Sequence, residues 1–201
     1  MGRMNGLLIL GGMGRVISKF SSMERLLPEK IQTERLRLRA PSASDAHAIF
    51  AAYAQDPVVC RYMIWRPHKD KALTENFISR CIEVWQSGDI FPYVITKRGS
   101  NDLLGMLEAR IQGSKIDIGY VLARQHWGNG FMPEAILTLS QRALAQPNIF
   151  RVQASCDVDN IPSQRALEKA GFFREGRLER YTIHPNLSTE PRACFMYACC
   201  C

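Results

Sequence analysis

At 201 residues, 46% apolar and 22% charged, the chain has the composition of a globular protein of one domain plus a short extension. Its net charge of +7, from 26 Lys and Arg against 19 Asp and Glu, favours anionic partners such as a phosphorylated cofactor. The basic residues are scattered, and no zinc-finger spacing, aromatic RNA-binding signature or basic helix occurs, so nucleic acid is not an expected partner.

Residues 1–28 read as a loose N-terminal extension and residues 29–201 as a single domain. The apolar run Gly6-Leu7-Leu8-Ile9-Leu10-Gly11-Gly12-Met13-Gly14 is too short to span a membrane. Arg15, Lys19 and Phe20 come after it where a secretory signal would carry small residues and a cleavage site. Seven cysteines, at 60, 81, 156, 194, 199, 200 and 201, are odd in number and contain no Cys-x-x-Cys. That pattern argues against structural zinc and a disulfide framework, and for reduced thiols in a cytoplasmic protein.

Thr33 to Arg39 alternates with period two and predicts a strand with Leu36 and Leu38 inward. Ser42 to Asp45 supply cap candidates for a helix over Ala46 to Tyr53. Val58 to His68 is unpatterned, and Leu73 to Trp85 carries a helical stripe. Three strands then form a meander: Phe91 to Thr96, Leu103 to Ile111, and Ile116 to Leu122. After a helix over Pro133 to Ala145, Phe150 to Cys156 alternates with Phe150, Val152, Ala154 and Cys156 on one face. A short helix, Pro162 to Ala170, ends at Gly171. A late strand near Phe172 to Ile183 and a last one over Arg192 to Ala198 complete the chain. A meander succeeded by one strand–helix–strand crossover predicts an α+β fold with a mixed, largely antiparallel sheet and helices on both faces.

Between the third meander strand and the helix at Pro133 lies Gln125-His126-Trp127-Gly128-Asn129-Gly130-Phe131-Met132. Gly128 and Gly130 permit positive φ and close ligand approach. The unpaired first amides of the helix, aided by its dipole, form an anion site suited to phosphate. A bare strand-to-helix turn is the structural alternative. A second site-like stretch, Asn160-Ile161-Pro162-Ser163, lies one strand downstream.

Gln125-x-x-Gly128-x-Gly130 after a strand resembles the pyrophosphate-binding motif of the GNAT acyltransferases. Four motifs in order match the branch that includes ribosomal-protein alanine and serine N-terminal acetyltransferases. They are Thr33-Glu34-Arg35-Leu36-x-Leu38-Arg39, Ile118-Gly119-Tyr120, Trp127-Gly128-x-Gly130-x-x-x-Glu134-Ala135, and Asn160-x-x-Ser163-x-x-x-Leu167-x-Lys169-x-Gly171-Phe172 with Glu175-Gly176. The resemblance spans about residues 29–198. It implies acetyl-CoA as co-substrate, with its pyrophosphate on the amides from Gln125 to Met132. The pantetheine arm would lie between two splayed strands, added to the sheet edge at Tyr120, Val121 and Leu122, with Asn160 bonding its amides and Ser163 near the thiol.

The implied chemistry is direct attack of an amine on a thioester through a tetrahedral intermediate, and it requires no metal. The amine must lose a proton, the oxyanion needs a donor, and the thiolate needs a proton. Asp117 is the first candidate base, directly or through water, and Glu108 the second; either is otherwise a solvated strand charge. Ser163 is the candidate donor to sulfur, or else only a first-turn helix residue. A backbone N–H beside Tyr120 is the natural oxyanion donor. Two positions depart from the branch: Asp117 stands where glutamate is frequent, and Ala193 where an acid is frequent before the last strand. The expected activity is acetyl transfer to a protein or peptide N-terminus. A small amine (antibiotic, polyamine or amino acid) is an alternative acceptor, and a non-catalytic acyl-CoA sensor an alternative function. Dimerisation is common among resembling proteins.

Overall fold

The computed structural model describes residues 25–200; the extension expected over 1–28 falls almost wholly outside the described residues, as does Cys201. The chain runs β1 (Lys30–Gln32), β2 (Leu36–Arg39), α1 (Asp45–Ile49), α2 (Pro57–Cys60), α3 (Lys71–Ser87), β3 (Ile90–Lys97), β4 (Leu103–Gln112) and β5 (Lys115–Leu122). It continues through α4 (Phe131–Leu144), β6 (Arg151–Asp157), α5 (Ile161–Lys169), β7 (Phe173–Thr182) and β8 (Arg192–Cys200). A π-type turn over Phe50–Ala54 extends α1, and a short 3-10 turn, Arg124–His126, comes after β5.

The strands form one eight-stranded sheet in the order β1-β2-β3-β4-β5-β6-β8-β7. Every pairing is antiparallel except β5 with β6. Alternation sends successive side chains of a strand to opposite faces. Accordingly Tyr93 and Ile95 of β3 join a core with Ile136 and Leu139 of α4 and Leu167 of α5. Val94 between them joins Met106, Ala46, Ile49, Ile78 and Cys81 under α1 and α3. Helices therefore cover both faces, as expected. Burying Ile136 or Leu139 completely stabilises the α4 layer by about 1.5–3 kcal/mol per side chain.

Local chemistry sets the element ends. Asp70 caps α3 by accepting from the Leu73 amide at 3.1 Å, and Gly88 ends it in the left-handed region at φ 83°. Two expectations shift, and one further strand is present. The strand placed over Thr33–Arg39 begins only at Leu36, because the Thr33 hydroxyl accepts the Leu36 amide and makes a turn of Thr33–Arg35. β1, too short to carry a period, precedes it. Phe150 is 61% exposed and precedes β6, whereas Val152, Ala154 and Cys156 face inward. No helix among the described residues is long and apolar enough to cross a membrane.

Candidate active site

In the turn after β5 the amides of His126 and Trp127 donate to the carbonyls of Ala123 and Arg124 at 2.9 and 3.1 Å, so they are not available to the pyrophosphate that the resemblance places on them. Asn129 Nδ2 donates to the carbonyls of His126 and Trp127 at 3.2 and 3.1 Å. Trp127 Nε1 donates to the Leu122 carbonyl at 2.8 Å, fixing the turn to the end of β5. Gly128 and Gly130 adopt φ of 78° and 74°, where a side chain would be strained. The first bond of α4 is Glu134 N–H to the Gly130 carbonyl. Among the described residues, the amides of Gly128, Asn129, Gly130, Phe131 and Met132 find no acceptor. Five free donors at a helix N-terminus fit an anionic group such as a pyrophosphate.

The β1–β2 turn holds this cradle in place. Thr33 Oγ1 and the Arg35 amide both donate to Glu134 Oε1, and Arg35 Nε donates to Oε2 at 2.6 Å. Arg35 Nη1 donates to the Asn129 carbonyl at 3.0 Å, and the guanidinium lies 4.8 Å over the Phe131 ring. A trans peptide points its C=O and N–H oppositely. Pulling the Asn129 carbonyl toward Arg35 therefore turns the Gly130 amide the other way. Burial pushes the Glu134 carboxyl up, but the bonds from Thr33 and Arg35 outweigh it and hold the group below its ordinary value.

β5 and β6 pair only from Lys115 to Asp117 against Arg151 to Gln153, then separate. The gap opens into a cavity of about 740 Å³ that brings Glu108, Asp117, Tyr120, Val121, Asn160 and Ser163 together. Leu122 and the turn residues from Gln125 to Met132 do not line it; the free amides of Gly128 to Met132 form a separate cradle after β5. Within the cavity Tyr120 Oη lies 2.7 Å from Ser163 Oγ. Burial raises the Tyr120 phenol, and the bond with Ser163 only partly offsets this. Cys156, also lining the cavity, is pushed up to about 12 by burial and so is a thiol rather than a thiolate. Asn160 Oδ1 caps α5 by accepting the Ser163 amide at 3.3 Å, which leaves its Nδ2 donor for a ligand.

Neither candidate carboxylate is a free strand charge. The antiparallel register sets Glu108 opposite Gly119 and Arg110 opposite Asp117. Arg110 Nη1 donates to Glu108 at 2.5 Å and Nη2 to Asp117 at 2.6 Å, with the guanidinium lying over the bare backbone of Gly119. Gln153 Nε2 adds a 3.4 Å contact to the other Asp117 oxygen. The sequence alone assigned Arg110 no role, although Glu108-x-Arg110 on a period-two strand already places both on one face.

A second charged group flanks the cavity. Asp157 is completely buried and accepts from Arg192 Nε at 2.6 Å, Arg192 Nη2 at 3.1 Å and the Asp159 amide at 2.9 Å. Burial pushes its carboxyl up, and these donors outweigh that and hold it below its ordinary value. His184 Nε2 lies 3.7 Å from Asp157, and burial lowers the imidazole's affinity for a proton.

The family model described as an acetyltransferase (GNAT) domain matches residues 35–173. The uncharacterized N-acetyltransferase p20 of Bacillus licheniformis is 30% identical over 156 residues, covering 76% of this chain and 87% of that protein. Among solved structures, the microcin C7 self-immunity acetyltransferase MccE, in complex with acetyl-CoA and AMP, superposes with a TM-score of 0.78. It is 22% identical and covers 88% of this chain and 99% of that one. The ribosomal L7/L12 alpha-N-protein acetyltransferase RimL, in complex with coenzyme A, has a TM-score of 0.76 at 23% identity, covering 86% and 98%. At these identities the two superpositions speak for the fold.

Proposed function

The chain belongs to the acetyltransferase (GNAT) family, and on that premise we propose that it acetylates the α-amine of a protein or peptide N-terminus. It is an acetyl-CoA-dependent acetyltransferase, and the co-substrate supplies the activated thioester. The observation that carries the reading is the run of five free amides from Gly128 to Met132, together with a separate cavity lined by Asp117, Tyr120 and Ser163.

In this proposal the cradle amides hold the pyrophosphate. The edge of β5 beyond Asp117, left unpaired by β6, takes the pantetheine amides by strand addition, with Asn160 Nδ2 as a further donor. Asp117 takes the proton that the attacking amine loses, directly or through a water, and Arg110 keeps it oriented. Glu108 is the second carboxylate on that guanidinium. The Tyr120–Ser163 hydroxyl pair donates a proton toward the departing sulfur. The N–C bond forms first, giving the tetrahedral intermediate, and the C–S bond breaks as that intermediate collapses; holding both partners supplies much of the rate.

The α-amine is favoured as acceptor because RimL, which shares this fold, is described as an alpha-N-protein acetyltransferase. Buried thiols at Cys60, Cys81, Cys156 and Cys194 suit a cytoplasmic setting. The test compares peptides of one sequence with free and blocked N-termini. Thiol release from acetyl-CoA only with the free α-amine supports the assignment; equal release from the blocked peptide contradicts it.

A further inference from the structure

The cavity walls bear on which amine enters, an inference that rests on the acetyl transfer above. One wall comes from Tyr62, Met63, Ile64 and Trp65, just after α2, with Phe77 of α3 and Tyr181 of β7. These are large apolar or aromatic groups, and two are left open to solvent: Ile64 is 70% exposed and Tyr181 48%. Apolar surface gathered at the rim of a polar pocket marks a place where a ligand covers it.

The wall is fixed before any acceptor arrives. Asn186 Nδ2 donates to the carbonyls of Cys60 and Trp65 at 2.6 and 2.8 Å, tying this stretch to the loop before β8. Tyr62 Oη donates to the Asp159 carbonyl at 3.1 Å, in the loop after β6. His68 fills between Trp65 and Phe77, with ring centroids 5.2 and 6.4 Å away, and its Nδ1 lies 2.7 Å from Thr74 Oγ1. A surface held this way needs little ordering on binding.

Charge narrows the choice further. Three carboxylates line the cavity: Glu108, Asp117 and Asp157. Asp157 shares Arg192 with Asp159, and Glu108 and Asp117 share Arg110. With Arg80, which also lines the cavity, four carboxylates face three guanidiniums, which leaves an excess of one negative charge, enough for one ammonium. Arg80, exposed and without an ion-pair partner among the described residues, lines the same cavity and opposes a second positive charge.

We infer that the acceptor is a peptide whose N-terminal residue bears a large apolar or aromatic side chain, its single ammonium over the Glu108–Arg110–Asp117 floor and its side chain against Ile64, Trp65 and Tyr181. Polyamines and aminoglycosides, which carry several positive charges, are poor acceptors on this account.

The experiment measures kcat/KM for peptides identical except for the first residue, Phe, Leu, Ala or Ser, with spermidine as a polycation. Acetyl-CoA affinity is measured by calorimetry in parallel. The Phe and Leu peptides should exceed Ala and Ser by about tenfold or more, the scale at which an apolar pocket discriminates. Ile64→Ser and Trp65→Ala should each shrink that ratio severalfold while acetyl-CoA affinity stays within about twofold; Ile64, being largely exposed, tests the wall without disturbing the core. Equal or better turnover of the Ala or Ser peptide, with acetyl-CoA bound normally, overturns this inference alone; preference for spermidine, or no transfer to any peptide, overturns the peptide-acceptor reading with it. Failure to bind acetyl-CoA overturns the transferase reading as well.

Discussion

Arg35 closes on Glu134 with one hydrogen bond to each carboxylate oxygen, and its side chain donates another to the Asn129 carbonyl beside them. The pair joins two segments 99 residues apart in sequence, and it fixes the peptide that presents the Gly130 amide.

Glu134→Gln should therefore weaken acetyl-CoA binding while leaving the chemical step nearly intact. Charge-assisted bonds contribute about 1.5–3 kcal/mol each, less where one partner is half exposed as Arg35 is, so about a tenfold rise in KM for acetyl-CoA with kcat within about twofold is expected. Steady-state kinetics checks this; a fall in kcat at constant KM would place the pair in the chemistry instead.

Gly128→Val should lower acetyl-CoA affinity at least about tenfold. A Cβ at Gly128 meets no atom within 4 Å, so crowding inside the protein is not the cause. The cost is a β-branched residue at φ 78°, about 1–3 kcal/mol, relieved only by moving the amides that bind the anion. Calorimetry reads the affinity, and thermal melting shows whether the fold survives.

Asp117→Asn should reduce kcat by about 100-fold or more, the usual loss on removing a general base, with acetyl-CoA affinity unchanged. Glu108→Gln leaves Asp117 on Arg110 and should cost far less. Equal losses from both substitutions, seen in single-turnover rates, would assign the function to the charged network rather than to Asp117.

The parts legible in the sequence were those written in local periodicity or in glycine. The meander strands alternate, and Gly128 and Gly130 take the positive φ expected of them. The features that escaped depend on register. That Arg110 would bridge Glu108 and Asp117 is clear only once β4 is set against β5 with Arg110 opposite Asp117. Arg35 and Glu134 stood in recognised motifs, yet their bond needs the β1–β2 turn to meet the start of α4. The acceptor wall was unreadable because Tyr62 to Trp65 lie outside any regular element and are held by Asn186 from a distant loop.

Asp157 should contribute to acid sensitivity. Its folded carboxyl sits below the ordinary value of about 4, so the stability it contributes is fully present above that pH and is lost as pH falls through the lowered folded value. Denaturant unfolding from about pH 5 down to about pH 2 should show a shallower loss in Asp157→Asn than in the wild type, from a lower starting stability. Parallel curves would remove Asp157 as the source.

The most direct measurement is calorimetric titration of the purified protein with acetyl-CoA, with thiol release then read in the same sample on adding an amine-bearing peptide. Saturable binding, with release that begins only when the free amine is present, is the predicted result. Absence of binding would contradict the assignment of the Gly128–Met132 amides as the pyrophosphate cradle, and with it the transferase itself.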